Sequence, residues 1–124
     1  MTIHCMIDIE TMGNGPRSAI LSVGAVNFHI ETGEIVETFY AAADMEDAMR
    51  YGSVDGSTVK WWMQQSDAAR QSAVAGTMPL REVLSKLASF YRQKSPVWGN
   101  GPAFDMVILE NAYNAVFEKA APWK

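Results

Sequence analysis

Two carboxylates, Asp8 and Glu10, close the apolar run Met6-Ile7-Asp8-Ile9-Glu10-Thr11-Met12-Gly13. Residues i and i+2 of a strand project from one face, so both acids point the same way. At a ~4 Å separation and an effective dielectric of ~20, two such charges repel by roughly 4 kcal/mol. A bound cation relieves that repulsion, and hard oxygen donors suit Mg²⁺ or Mn²⁺. A pair of acids merely solvated at a strand end is the alternative that this spacing leaves open. Asp105, in the first turn of a helix expected from Phe104 to about Phe117, is a third carboxylate that can face them across a crevice. Three converging carboxylates can hold two divalent ions, which activate a water and stabilise the leaving oxygen of a phosphodiester.

The elements that must carry these residues follow from periodicity. Thr2 to Ile9 reads as a strand, Ser18 to Ile30 as a second and Ile35 to Ala42 as a third, the last two joined by the turn Glu31-Thr32-Gly33-Glu34. Three antiparallel strands in sequence make a meander. Asp55 or Ser57 can cap a helix that carries Trp61 and Trp62 to about Gln65, and Ser66 can cap a shorter one to Ala75. Pro79 opens the clearest helix, with Leu80, Val83, Leu84, Leu87 and Tyr91 on one stripe. Pro96-Val97-Trp98 reads as a short fourth strand, expected in the middle of the sheet because it is apolar on both sides. The final helix is expected to bury Phe104, Val107, Ile108, Ala112, Ala115 and Val116. Ala120-Ala121-Pro122-Trp123 reads as the start of a further element, with a Trp whose packing later residues would complete. The plan is a mixed α/β domain over residues 1–124.

Gly-Asn-Gly-Pro occurs at Gly13 to Pro16 and again at Gly99 to Pro102. Each copy follows an apolar strand and lies within five residues of an acid, Glu10 or Asp105. Turn residues recur by coincidence, and that reading stays open. The functional one places both turns at the carboxyl ends of neighbouring parallel strands, where open α/β sheets hold their sites.

Composition sets the outer bounds. The chain has 124 residues, 48% apolar and 19% charged, which is one ordinary globular domain. No apolar run reaches the ~18 residues of a spanning helix, and the first residues lack a signal peptide's pattern. A single Cys5 beside eight Met suits a reducing cytoplasm and excludes an internal disulfide. One Cys and two distant His argue against structural zinc. A net charge of −4 argues against a general nucleic-acid binder, though not against an enzyme that meets phosphates through metal.

With these residues in order, the chain resembles the proofreading-type 3′→5′ exonucleases, the DEDD superfamily with a ribonuclease H-like fold. The resemblance rests on Asp8-Ile9-Glu10-Thr11, Ser22-Val23-Gly24-Ala25-Val26 and Asn100-x4-Asp105. It is strongest to a phage and bacterial branch that includes the nuclease part of exodeoxyribonuclease VIII. The segments Asp55-Gly56-Ser57-Thr58-Val59-Lys60-Trp61-Trp62 and Val97-Trp98-Gly99-Asn100-Gly101 carry that closer likeness. It implies that Asp8, Glu10 and Asp105 are catalytic and ligate two Mg²⁺ or Mn²⁺ ions. It also implies a cytoplasmic, metal-dependent nuclease acting on the 3′ end of single-stranded nucleic acid, DNA or RNA. Thr11 and Met12 match the segment that holds the 3′-terminal nucleotide, Met12 as a wedge against a base or else as a packing residue. Of Trp61 and Trp62, one ring can line the substrate groove, or both can be structural. Asn100 can bond substrate or order its own turn.

The family's fourth acid follows the third, four residues after a Tyr or five after a His. Here Tyr113 has Phe117 four residues on, and no His follows His29. Glu118 shares a helix with Asp105 and, at ~1.5 Å per residue, stands roughly 20 Å from it. It cannot close the site. The expectation is therefore an incomplete domain without the family's last strand, last helix and general base, and with little or no hydrolytic activity alone. Degeneration in a prophage, deliberate shortening, completion by another subunit as a homodimer, and retention of binding alone are the explanations that remain. A catalytically inactive nucleic-acid- or protein-binding remnant is the alternative function. A transferase or phosphatase is disfavoured, since no phosphate-cradling Gly-rich loop, G-x-S-x-G or Cys/His pair is present.

Overall fold

A computed structural model describes residues 2–99 and 104–123. The elements run β1 (Ile3–Thr11), β2 (Ile20–His29), β3 (Ile35–Ala42), α1 (Met45–Met49), α2 (Gly56–Met63), α3 (Asp67–Val74), α4 (Leu80–Phe90), β4 (Val97–Gly99) and α5 (Phe104–Phe117). They form a four-stranded mixed sheet of order β3-β2-β1-β4, flanked by helices. The first three strands are the expected antiparallel meander, and β4 runs parallel to β1. Between β2 and β3, Gly33 adopts φ 75°, which only a residue without a Cβ takes at little cost.

Alternation along β1 divides the molecule. Cys5, Ile7 and Ile9 are buried on one face, while Met6, Asp8 and Glu10 are exposed on the other. The strand continues through both acids to Thr11, two residues beyond the end expected, with a register shift after Glu10. On the buried face lie Leu80, Val83, Leu84, Leu87 and Tyr91, the whole stripe expected for this region.

Three expectations are corrected. β4 is the outer strand among the described residues, not a central one, and its Trp98 is half-exposed. An apolar tripeptide cannot distinguish the two positions, because a side chain resting on one neighbouring strand is already partly covered; Trp98 Nε1 donates to His4 Nδ1 at 2.8 Å. The buried stripe of α5 is Ile108, Leu109, Ala112, Tyr113 and Val116, with Val107 and Ala115 exposed. Asp105 lies at i, i+3, i+4 and i+7 spacing with Ile108, Leu109 and Ala112, so it belongs to the face turned towards the sheet. Trp123 is already covered by earlier residues, packing edge-on against Tyr113 (5.4 Å) and Tyr91 (6.3 Å), with its Nε1 left without a hydrogen-bond partner among the described residues. One element was missed. Helix α1 is capped by Asp44, whose carboxylate accepts from Asp47 N–H at 2.9 Å.

Candidate active site

The register of β1 with β4 aligns Ile7 with Gly99 at the parallel strands' carboxyl ends. The first Gly-Asn-Gly-Pro turn follows β1 there; most of the second, Asn100 included, lies outside the described residues. Helix α5 starts at Phe104 and returns Asp105 to β1, where the carboxylate is buried beside the Ile9 backbone. Asp8 is close enough for its charge to act on that carboxylate.

The electrostatics match that geometry. Burial, then the charge of Asp8, holds the Asp105 carboxyl above its usual range, and the Ile9 backbone opposes them. Glu10 is also raised, by partial desolvation first and then by the charges of Asp8 and Asp105. The three acids expected from the sequence therefore act on one another. Among the described residues, no three Asp, Glu, His or Cys side chains close into a metal-ligating group; Asp8, Glu10 and Asp105 lie within range of one another's charge. Oxygen-only donors bearing surplus negative charge fit a hard divalent cation, which would offset their mutual repulsion.

Around the acids, α2 fixes the segment after β1. Trp62 Nε1 donates to the Thr11 carbonyl at 2.9 Å, and Thr11 Oγ1 donates to the Gly13 carbonyl at 2.7 Å. Asp55 is the N-cap residue of α2 yet makes no cap bond; its Oδ2 accepts from the Asn14 N–H at 2.7 Å instead. Gly13 is required beneath it, since a Cβ there would stand 2.6 Å from Ser18 Oγ and 2.9 Å from Asp55 Oδ2. Asn111 of α5 reaches the same turn, donating to the Pro16 carbonyl at 2.7 Å.

The tryptophans divide their roles. Trp62 is half-buried on a small cluster of Met12, Ala19 and Leu21, while Trp61 is 52% exposed and meets it edge-on at 5.0 Å. Met12 is buried in that cluster, so its side chain reaches a base only by leaving its packing. Glu10, Trp61 and Trp62 line an open groove of about 370 Å³ together with Tyr40 and Gln65. Sequence reasoning missed Asp55 as a clamp, and Asn111, Tyr40 and Gln65 altogether. An unusually capped Asp next to Gly56 is the one signal that could have found the first; the rest depend on contacts between distant elements.

Residues 3–124 match the model of the 3′-5′ exoribonuclease Rv2179c-like domain. The chain belongs to that family. The domain is also similar to the exodeoxyribonuclease of enterobacteria phage T4, 27% identical over 120 residues that cover 84% of the chain and 52% of the relative. Its fold is that of exonuclease I. The E. coli enzyme solved with a dA13 oligonucleotide aligns over 91% of this chain and 24% of its own, at TM-score 0.67 and 18% identity. Exonuclease I from Methylocaldum szegediense aligns over 99% of this chain and 27% of its own, at TM-score 0.68 and 14% identity. The chain thus spans about half the length of the T4 relative and about a quarter of the exonuclease I chains. Family and fold agree with the ribonuclease H-like, DEDD-type expectation.

Proposed function

We propose that this domain is a metal-dependent 3′→5′ exonuclease acting on the 3′ end of single-stranded nucleic acid in the cytoplasm. The observation that carries the reading is the approach of Asp8, Glu10 and Asp105 within range of one another's charge, at the ends of parallel β1 and β4 in a chain of exonuclease family. E. coli exonuclease I solved with dA13 and dA16 oligonucleotides supports a single-stranded substrate. Asp8, Glu10 and Asp105 would hold Mg²⁺ or Mn²⁺, two ions in the complete arrangement. When bound, such a pair supplies Lewis-acid activation of water and charge neutralisation at the leaving oxygen. Asp105 is buried beside the Ile9 backbone, and Glu10 lines the groove. Thr11, held from both sides, would place the terminal sugar, with Trp61 against its base. Asn100, by the resemblance of its motif alone, would contact the same nucleotide.

A fourth acid and a general base are absent from these 124 residues, so hydrolysis by this polypeptide alone is slow. The test pairs calorimetric titration with Mn²⁺ and release of nucleotides from 3′-labelled single-stranded DNA and RNA. Mn²⁺ binding lost in Asp8→Asn, with weak Asp8-dependent release, is expected. Absence of Mn²⁺ binding overturns the metal site and favours an inactive nucleic-acid- or protein-binding module. Rapid release overturns the impairment. The outer edge of β4, with half-exposed Trp98, supports self-association as a homodimer. A clean monomer in concentrated sedimentation runs would remove that part.

A further inference from the structure

We infer that Asp55 is a positioning residue for substrate: its carboxylate fixes the turn that follows the acid pair, and that turn sets where a nucleic-acid end can rest. This deepens the exonuclease reading and rests on it. An Asp at the N-cap ordinarily gives its side chain to the first-turn amides of its own helix. Two other helices follow that rule. Asp44 accepts from the Asp47 N–H at 2.9 Å in α1, and Ser66 from the Ala69 N–H at 3.2 Å in α3. Asp55 has the extended backbone of an N-cap, φ −104° and ψ 136°, yet leaves α2 without a side-chain cap. Its Oδ2 accepts from the Asn14 N–H at 2.7 Å, and its own N–H donates to the Met12 carbonyl at 3.1 Å. The two bonds straddle Gly13, whose missing Cβ gives the carboxylate its room.

The turn needs such a hold. Pairing of β1 with β2 shifts register after Glu10, and the strand ends at Thr11. The Met12 N–H still bonds the Ala19 carbonyl at 3.0 Å, but sheet pairing does not direct Gly13 and Asn14. Thr11, where the exonuclease reading rests the terminal sugar, lies between Glu10 and the clamped residues. A carboxylate makes a stronger acceptor than a neutral oxygen, so the bond missing from the cap of α2 is turned into a fixed path beyond the acids. A seat displaced by about 1 Å loses productive binding. The acids themselves stand on β1 and α5, so the metal ligands and the seat have separate supports. Loss of the Asp55 bond should therefore weaken nucleic-acid binding and leave Mn²⁺ binding alone.

The test compares the parent with Asp55→Asn, Asp55→Ser and Asp55→Thr. Mn²⁺ binding is read by calorimetry. Binding of a thymidine tetranucleotide with a non-hydrolysable last linkage, ending in a 3′-hydroxyl or a 3′-phosphate, is read by fluorescence anisotropy with Mn²⁺ present. Asn keeps an oxygen acceptor at the same reach and should bind as the parent does. Ser and Thr cap helices well, but their hydroxyls stop short of Asn14. Both should keep the parent's melting temperature within a few degrees, keep its Mn²⁺ affinity and lose the downfield shift of the Asn14 amide proton. They should bind the 3′-hydroxyl tetranucleotide about tenfold more weakly and lose most of its advantage over the 3′-phosphate form. Parent affinity for that tetranucleotide in Asp55→Ser or Asp55→Thr overturns the inference. Equal loss of tetranucleotide and Mn²⁺ binding there does the same, as does an Asp55→Asn variant as weak as Asp55→Ser. All three outcomes leave the exonuclease reading standing. A parent protein with no preference for the 3′-hydroxyl end overturns that reading and the inference with it.

Discussion

At the residue scale, the site is an arrangement that opposes folding. Asp105 is buried on the apolar face of α5 within range of the Asp8 charge, so ionising it in the metal-free protein costs desolvation and like-charge repulsion. Asp105→Asn keeps the shape beside Ile9 and removes the charge. Its metal-free melting temperature should equal or exceed that of the parent, while the rise induced by Mn²⁺ should vanish; thermal scans with and without the ion check both. Glu10 and Asp105 both have raised carboxyls, so in the acid range the folded state binds more protons than the unfolded chain. Stability of the metal-free protein should therefore fall as pH rises from the ordinary carboxylate range through the raised values, and the penalty should persist at neutral pH. Urea midpoints across that range, flattened by Mn²⁺, are the measurement. Cys5 contrasts with these acids. Burial, then the charge of Glu37, pushes its thiol up to about 11, so thiol reagents should modify it only after unfolding.

At the scale of elements, α2 acts as a brace for the end of β1. Trp62 holds the Thr11 carbonyl and Asp55 holds the Asn14 N–H, one on each side of Met12 and Gly13. Trp62→Phe leaves most of the packing and removes one bond, a loss of about 1 kcal/mol. Gly13→Ala must push Ser18 or Asp55 away and should cost about 1–3 kcal/mol, read from urea midpoints. Both changes lie outside the acid trio, so Mn²⁺ stoichiometry should survive them. Helix α4 supplies the opposite kind of support, through burial alone. Leu84 is fully buried, and Leu84→Ala should cost about 2–5 kcal/mol.

At the scale of the molecule, one sheet separates two environments. Its buried face rests on α4 and α5, while its open face presents Met6, Asp8, Thr38 and Tyr40. The C-terminal segment seals the buried side through Trp123, against Tyr91 and Tyr113. Trp123→Ala should lower the unfolding free energy by about 3–5 kcal/mol and leave Mn²⁺ binding in place, as calorimetry on the folded variant would show. Among the described residues, no helix is long and apolar enough to cross a membrane.

Local pattern was sufficient for much of this. The meander, the stripe of α4 and the shared face of Asp8 and Glu10 depend on periods of 2 and 3.6, which the order of residues alone sets. The DEDD-type family likewise follows from motifs that keep their order along the chain. What the order of residues could not settle is anything that depends on which elements meet. The outer position of β4 depends on strand pairing, and the cover over Trp123 on where its Tyr partners fold. Tyr40 had no local signal, because only the register through Gly24 sets it in line with Asp8. The carboxylate pair itself spans both levels: residue type and spacing make Asp8 and Glu10 a candidate metal site. Only the return of α5 over β1 brings Asp105 within range of the Asp8 charge, because that approach joins residues distant in sequence.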